Sequence, residues 1–148
     1  MKLILLYITL AVSLLLTIPG CRNKSVEDEL IYSVTNQYGL VDLSNYKVCL
    51  FLPTRREGCD LCVMKVEELL KNYPDRDSLL LIVTTRHPGW VDSKIKTRHM
   101  LIDSKGLAIN RKIVYGYPKA YILANGSVIE SFDVLPDKLT KLKNNISL

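Results

Sequence analysis

Two thiols stand three positions apart in Glu57-Gly58-Cys59-Asp60-Leu61-Cys62, directly ahead of a helical pattern. Such a pair can cycle between dithiol and disulfide, supply half of a metal site, or sit as an inert bridge or two buried thiols. After it, apolar residues fall at Cys62, Val63, Val66, Leu69, Leu70 and Tyr73 with charged residues between them, until Pro74 ends the run. That spacing predicts an amphipathic helix with Cys59 at its N-terminus. The free amides and partial positive charge of a helix start stabilise a thiolate, which marks Cys59 as the nucleophile. Cys62, one turn inside, is better shielded and close enough to attack a mixed disulfide on Cys59. A metal would need two further ligands. Cys49 lies in an apolar run, where it reads as a small buried hydrophobe, and His87 and His99 are separated far beyond the spacing of a zinc finger. Haem attachment would need histidine after the second cysteine, and residue 63 is valine.

The elements that must hold this pair are written around it. Val48 to Leu52 is a continuous apolar run ended by Pro53, and Leu79 to Val83 is a second one. Both read as strands buried on two faces, so strand, helix and strand form a parallel unit with a right-handed crossover. Upstream, Ser25 and Asp28 have capping-box spacing, and Val26, Leu30, Val34 and Tyr38 recur at helical intervals before Gly39, predicting a helix over 26–37. Leu40 to Leu43 reads as a short strand before a turn at 44–46. The polar segment from Thr84 to Asp103 predicts a short helix at 91–96 and a short strand at 100–103. Its first part, Thr84 to Trp90, should border the same face as Cys59, because ligands sit beyond the carboxyl ends of parallel strands. Asn125-Gly126 signals a tight hairpin between 119–123 and 127–132, and Pro136 opens a last amphipathic helix carrying Leu139, Leu142 and Ile146.

With 148 residues, 48% apolar and 24% charged, the chain has the composition of one globular domain plus a leader. Met1 to Gly20 carries one lysine and then an apolar run to Ile18, the layout of a secretory signal peptide and a few residues short of a membrane span. Ile18-Pro19-Gly20-Cys21 resembles the lipobox of bacterial lipoproteins, with proline off-pattern. That resemblance implies cleavage before Cys21 and acylation of its thiol and new amino group by several fatty-acyl (palmitate-type) chains, enough for a stable anchor. The expected organisation is a signal peptide over 1–20, a tether and helix over 21–38, and a domain over 39–148. The formal charge of +5 falls by one when Lys2 leaves with the leader, and no Lys/Arg stripe interleaves with aromatics, so nucleic acid is excluded as a partner. An extracytoplasmic compartment lets disulfides persist.

From Leu40 to Leu148 the chain resembles the thioredoxin-like family, and within it the membrane-tethered extracytoplasmic thiol-disulfide proteins. The residues that carry the resemblance are VCLFL, the CDLC helix, LLLIV, and Tyr115-Gly116-Tyr117-Pro118 leading into KAYILANGSVIESF. It implies an α/β thioredoxin-like fold with a central mixed sheet flanked by helices, and catalytic Cys59 and Cys62. It also implies that Pro118 is cis, faces the cysteines and, with Tyr117, holds the substrate backbone; a trans proline opening a strand is the alternative. The chain departs from the family where Gly58 replaces an aromatic residue, where Asp60-Leu61 replaces a proline-containing pair, and where VCLFL offers no buried carboxylate. Asp60 and Glu57, as like charges beside Cys59, place the couple toward the reducing side unless Arg55 and Arg56 fold back to offset them. Arg55 and Arg56 could steer acidic partners, His87 could aid proton transfer and Trp90 could dock substrate; a solubilised, solvated connector is the alternative.

The resemblance implies a lipid-anchored oxidoreductase that reduces or isomerises protein disulfides, with no cofactor or metal beyond its dithiol and an unidentified protein as electron donor. The rival is a redox-inactive lipoprotein that keeps the fold as a binding or envelope-assembly module. Arg22, rather than aspartate, follows Cys21 and favours the outer membrane of the cell envelope over the inner one.

Overall fold

Ser25 closes a reciprocal cap on the first described helix: its hydroxyl accepts from the Asp28 N–H at 3.1 Å, and its own N–H donates to the Asp28 carboxylate at 3.0 Å. The computed structural model describes residues 25–40, 42–91 and 95–147, so the leader, the lipobox and Cys21 lie outside the described residues. Helix α1 (Val26–Thr35) continues as a 3-10 turn to Tyr38 and stops at Gly39, whose φ of 77° is left-handed. Asp28 also accepts from the Val128 N–H at 2.7 Å, which explains a buried carboxylate on this helix.

Among the described residues there is no strand at 40–43, where the sequence predicts a short one: Leu40, Asp42 and Leu43 are irregular, and Val41 lies outside the described residues. Their local groups are engaged in turns instead. Leu40 N–H donates back to the Thr35 carbonyl, and the Asp42 side chain accepts from the Ser44 N–H at 2.8 Å.

Five strands follow: β1 (Val48–Pro53), β2 (Leu79–Thr84), β3 (Met100–Asp103), β4 (Lys119–Ala124) and β5 (Ser127–Asp133). They lie in the order β3-β2-β1-β4-β5, with β1, β2 and β3 parallel and β4 antiparallel to both β1 and β5. Helix α2 (Asp60–Leu70) follows β1, the short α3 (Leu107–Asn110) follows β3, and α4 (Leu139–Ser147) closes the chain. This mixed sheet flanked by helices is a thioredoxin-like architecture. The hairpin turn has φ of 51° at Asn125 and 77° at Gly126, two consecutive left-handed residues as a type I′ turn requires.

The alternation within β1 divides the core. Val48, Leu50 and Leu52 pack with Leu79 and Leu81 of β2 against Val63, Val66 and Leu70 of α2 and Leu142 and Ile146 of α4. Cys49 and Phe51 face the other way, with Leu80 and Ile82, onto Ile31 and Val34 of α1. A central strand covered on both faces has no polar position, which is why the sequence there is unbroken. Of the helix expected over 91–96, residues 92–94 lie outside the described residues and Val91, Ile95 and Lys96 are not helical; a 3-10 turn covers Pro88–Trp90. By Arg98, whose N–H donates to the Pro74 carbonyl, the chain is already committed to entering β3. Among the described residues no helix is long and apolar enough to cross a membrane.

Candidate redox site at the start of helix α2

Cys59 is the N-cap of α2 and joins Cys62 in a disulfide with a Cα–Cα separation of 5.2 Å. Its sulfur accepts from the Cys62 N–H at 3.3 Å, the place a capping oxygen usually takes, so a thiolate there would meet a free helix amide. Cys59 is partly exposed, whereas Cys62 is 4% exposed. Cys59 is thus the more accessible of the two cysteines.

The loop that delivers Cys59 is held by its own side chains. The N–H groups of Glu57 and Gly58 donate to the Thr54 carbonyl, and the Thr54 hydroxyl donates to Glu57 at 2.9 Å. The other Glu57 oxygen accepts from the Arg86 N–H at 2.8 Å, tying the loop to the exit of β2. Burial by itself would raise the Glu57 carboxyl, but the Arg86 amide, the Thr85 and Thr54 hydroxyls and the nearby His87 outweigh it and leave its pKa lowered. Glu57 is thus occupied in fastening the loop.

Arg55 does fold back. Its Nε donates to Glu67 at 2.9 Å, its Nη2 reaches the same oxygen, and Nε lies 3.9 Å from the exposed Asp60 carboxylate. Glu67, on α2, is 6% exposed and supplies a buried carboxylate that β1 does not. Sequence reasoning assigned it to the polar face of the helix. The signal was present: positions 62, 63, 66, 67 and 70 form one helical stripe, and all are buried.

The segment Tyr115–Pro118 does meet the cysteines, but not as the resemblance implied. Among the described residues there is no cis peptide bond, so Pro118 is trans. It is buried at the entrance to β4, and its carbonyl accepts from the Val134 N–H at 2.7 Å. Trans is the intrinsically favoured isomer of an X–Pro bond, and the proline passes directly into β4. The Gly116 carbonyl meets the pair: it accepts from the Cys59 N–H at 2.6 Å. Tyr117 is exposed, as are Tyr115 at 69% and Leu61 at 52%, giving the neighbourhood an apolar rim.

The Thr84–Trp90 segment borders the loop as expected. His87 and Trp90 have ring centroids 4.0 Å apart, and the Arg56 guanidinium lies 5.2 Å from the Trp90 ring. Between them and α2 is a cavity of about 220 Å³ lined in part by Leu52, Arg55, Glu67, Val83 and Trp90. Cys49 is fully buried on the sheet face opposite α2, where desolvation drives its thiol pKa far up. His99 is elsewhere, 3.3 Å from Asp77 and 3.4 Å from the Tyr46 hydroxyl. Among the described residues no three His, Cys, Asp or Glu side chains are grouped as a metal ion would require.

The chain thus has a thioredoxin-like fold, a mixed five-stranded sheet flanked by helices, with a disulfide-linked C-x-x-C at a helix start. Among solved structures the chain is similar to that of a candidate thiol:disulfide interchange protein DsbE from Chlorobium tepidum, at 14% identity over 71% of this chain and 80% of that one, with a TM-score of 0.47. No protein-family model matches the chain, and no curated protein does.

Proposed function

We propose that the protein is a lipid-anchored thiol-disulfide oxidoreductase of the bacterial cell envelope. The observation that carries this reading is the contrast between a partly exposed Cys59 capping α2 and a shielded Cys62 bonded to it. In the reduced protein the Cys59 thiolate attacks one sulfur of a partner disulfide, forming a mixed disulfide and releasing the partner's other sulfur as a thiolate. The Cys62 thiolate then attacks the Cys59 sulfur, freeing the partner as a dithiol and leaving the Cys59–Cys62 disulfide. Two electrons pass to the partner, and a donor protein must restore them. Pro118 and Tyr117, which follow Gly116, are the substrate-holding residues of this reading, and Asp60 favours reduction or isomerisation over disulfide donation only to the extent that Arg55, 3.9 Å away, leaves its charge uncompensated. The signal over 1–20 and acylation of Cys21 supply the anchor, facing the periplasm or the outside, and 39–148 forms the working domain.

One observation favours the redox-inactive binding module: the Cys59 amide is already taken by the Gly116 carbonyl, so the loop closes on the pair. Trapping separates the two. A Cys62→Ser variant expressed with its leader should accumulate a reducible mixed disulfide through Cys59 with envelope proteins, and a Cys59→Ser/Cys62→Ser control should not. Absence of any adduct, with Cys59 no more reactive than an unfolded cysteine, would favour the binding module.

A further inference from the structure

We infer that Arg55 is a positioning residue whose charge sets the redox poise of the Cys59–Cys62 couple, through Glu67 on one side and Asp60 on the other; this rests on the thiol-disulfide reading above. Three carboxylates approach the loop and helix start: Glu57, Asp60 and Glu67. Glu57 is directed at the Arg86 amide and the Thr54 hydroxyl. The other two share one guanidinium, whose Nε lies 2.9 Å from Glu67 and 3.9 Å from Asp60. Among the described residues, Arg56 lies over Trp90, His87 stacks on the same ring, and the Arg86 Nε donates to Asn110 at 3.3 Å. Glu67 is buried on the helix that carries both sulfurs, and a buried carboxylate without its partner would be strongly disfavoured. The guanidinium is therefore fixed in place by Glu67 and held at the mouth of the site next to Asp60, the residue after Cys59.

The consequence is electrostatic. Reduction by two glutathione thiols breaks the Cys59–Cys62 bond and forms one glutathione disulfide. It leaves a thiolate on Cys59 and a thiol on Cys62, and releases one proton. The new negative charge appears beside Asp60, where Arg55 offsets it. Replacing the Glu67 carboxylate by an amide, whose oxygen still accepts from Arg55, adds net positive charge and stabilises the reduced form. Removing both halves of the buried pair leaves Asp60 uncompensated and destabilises it.

The test uses purified wild-type protein, Glu67→Gln, and the double variant Arg55→Met/Glu67→Gln, which avoids stranding a buried charge. Each is equilibrated with glutathione buffers, and the Cys59 pKa is read from the pH profile of alkylation. Relative to wild type, the oxidised fraction at a fixed glutathione ratio should fall in Glu67→Gln and rise in the double variant. The corresponding shifts in equilibrium constant should be about three- to tenfold, with the Cys59 pKa moving down and up in parallel. A role confined to packing the loop would move both variants in one direction, and that outcome, or shifts under twofold in both, overturns the inference while leaving the oxidoreductase reading intact. A wild-type pair that does not exchange with glutathione at all overturns both.

Discussion

Gly58 is the residue whose replacement best tests how this site is built. A Cβ added there would lie 2.7 Å from Pro53 Cγ, 2.9 Å from the Gly116 carbonyl oxygen and 3.2 Å from Pro53 Cβ. None of these is the end of a flexible chain: Pro53 ends the central strand, and the carbonyl is the acceptor of the Cys59 N–H. Gly58 is not among the positive-φ glycines, so alanine meets no backbone penalty and gains about 0.4–1 kcal/mol from a stiffer unfolded chain. Against this, forcing a methyl into a packed contact costs about 1–3 kcal/mol. Displacing Gly116 also weakens a hydrogen bond worth about 0.5–1.5 kcal/mol. Gly58→Ala should therefore destabilise the oxidised protein by about 1–3 kcal/mol, a fall of roughly 4–12 °C in Tm for a domain of this size. Thermal circular dichroism measures it. Gly116→Ala is the contrast, because its φ of 77° is left-handed but nothing lies within 4 Å of the added carbon. Its expected cost of about 1–2 kcal/mol is purely conformational. A Gly58→Ala protein as stable as wild type, or more so, would refute the close approach of the 115–118 segment to the cysteine pair.

Alkylation of the reduced protein at neutral pH should modify Cys59 first, Cys62 slowly, and Cys49 only on unfolding, because Cys49 is fully buried and its thiol strongly disfavours ionisation; mass spectrometry of timed samples reads the order, and a Cys59 rate equal to that of unfolded protein would sink the enzymatic reading. The mature protein should begin at Cys21 and partition with membranes, while Cys21→Ser should leave it uncut or released; an intact Met1 on the membrane-bound wild type refutes the anchor. Because the folded pKa of Glu57 is depressed, its contribution to stability is present above its unfolded value, about 4.3, and is lost as pH falls through the lower folded value. Glu57→Gln should therefore flatten the acid limb of the stability curve below roughly pH 4.5, and a limb as steep as wild type in denaturant titrations would contradict that.

What the sequence made legible was whatever depends on near neighbours. The unbroken runs of β1 and β2 report burial on two faces, Asn125-Gly126 reports a turn whose two residues must be left-handed, and Ser25 with Asp28 reports a cap that the structure closes. Where the reading went astray, the deciding partner was remote or the local signal had a competitor. Leu40 to Leu43 are apolar enough for a strand, but their neighbouring amides find acceptors in a helix end and an Asx turn. Glu67 is charged in a buried stripe because Arg55 reaches it from the preceding loop, and the spacing of residues cannot show where a six-residue loop turns its side chains.

The departures around the cysteine pair are not independent of one another, and that is what the folded chain adds. An aromatic residue in place of Gly58 would collide with the Gly116 carbonyl, since even a single carbon there falls 2.9 Å from that oxygen. Gly116, with φ of 77°, turns the chain so that its carbonyl reaches the Cys59 N–H, and Pro118, trans and buried, passes directly into β4. Glycine before the first cysteine, glycine two residues before the proline, and the trans prolyl bond thus belong to a single packing solution. In it, a backbone carbonyl lies against the Cys59 amide. The thiolate of Cys59 then depends for its stabilisation on the Cys62 amide, at 3.3 Å, and on the charges that Arg55 balances.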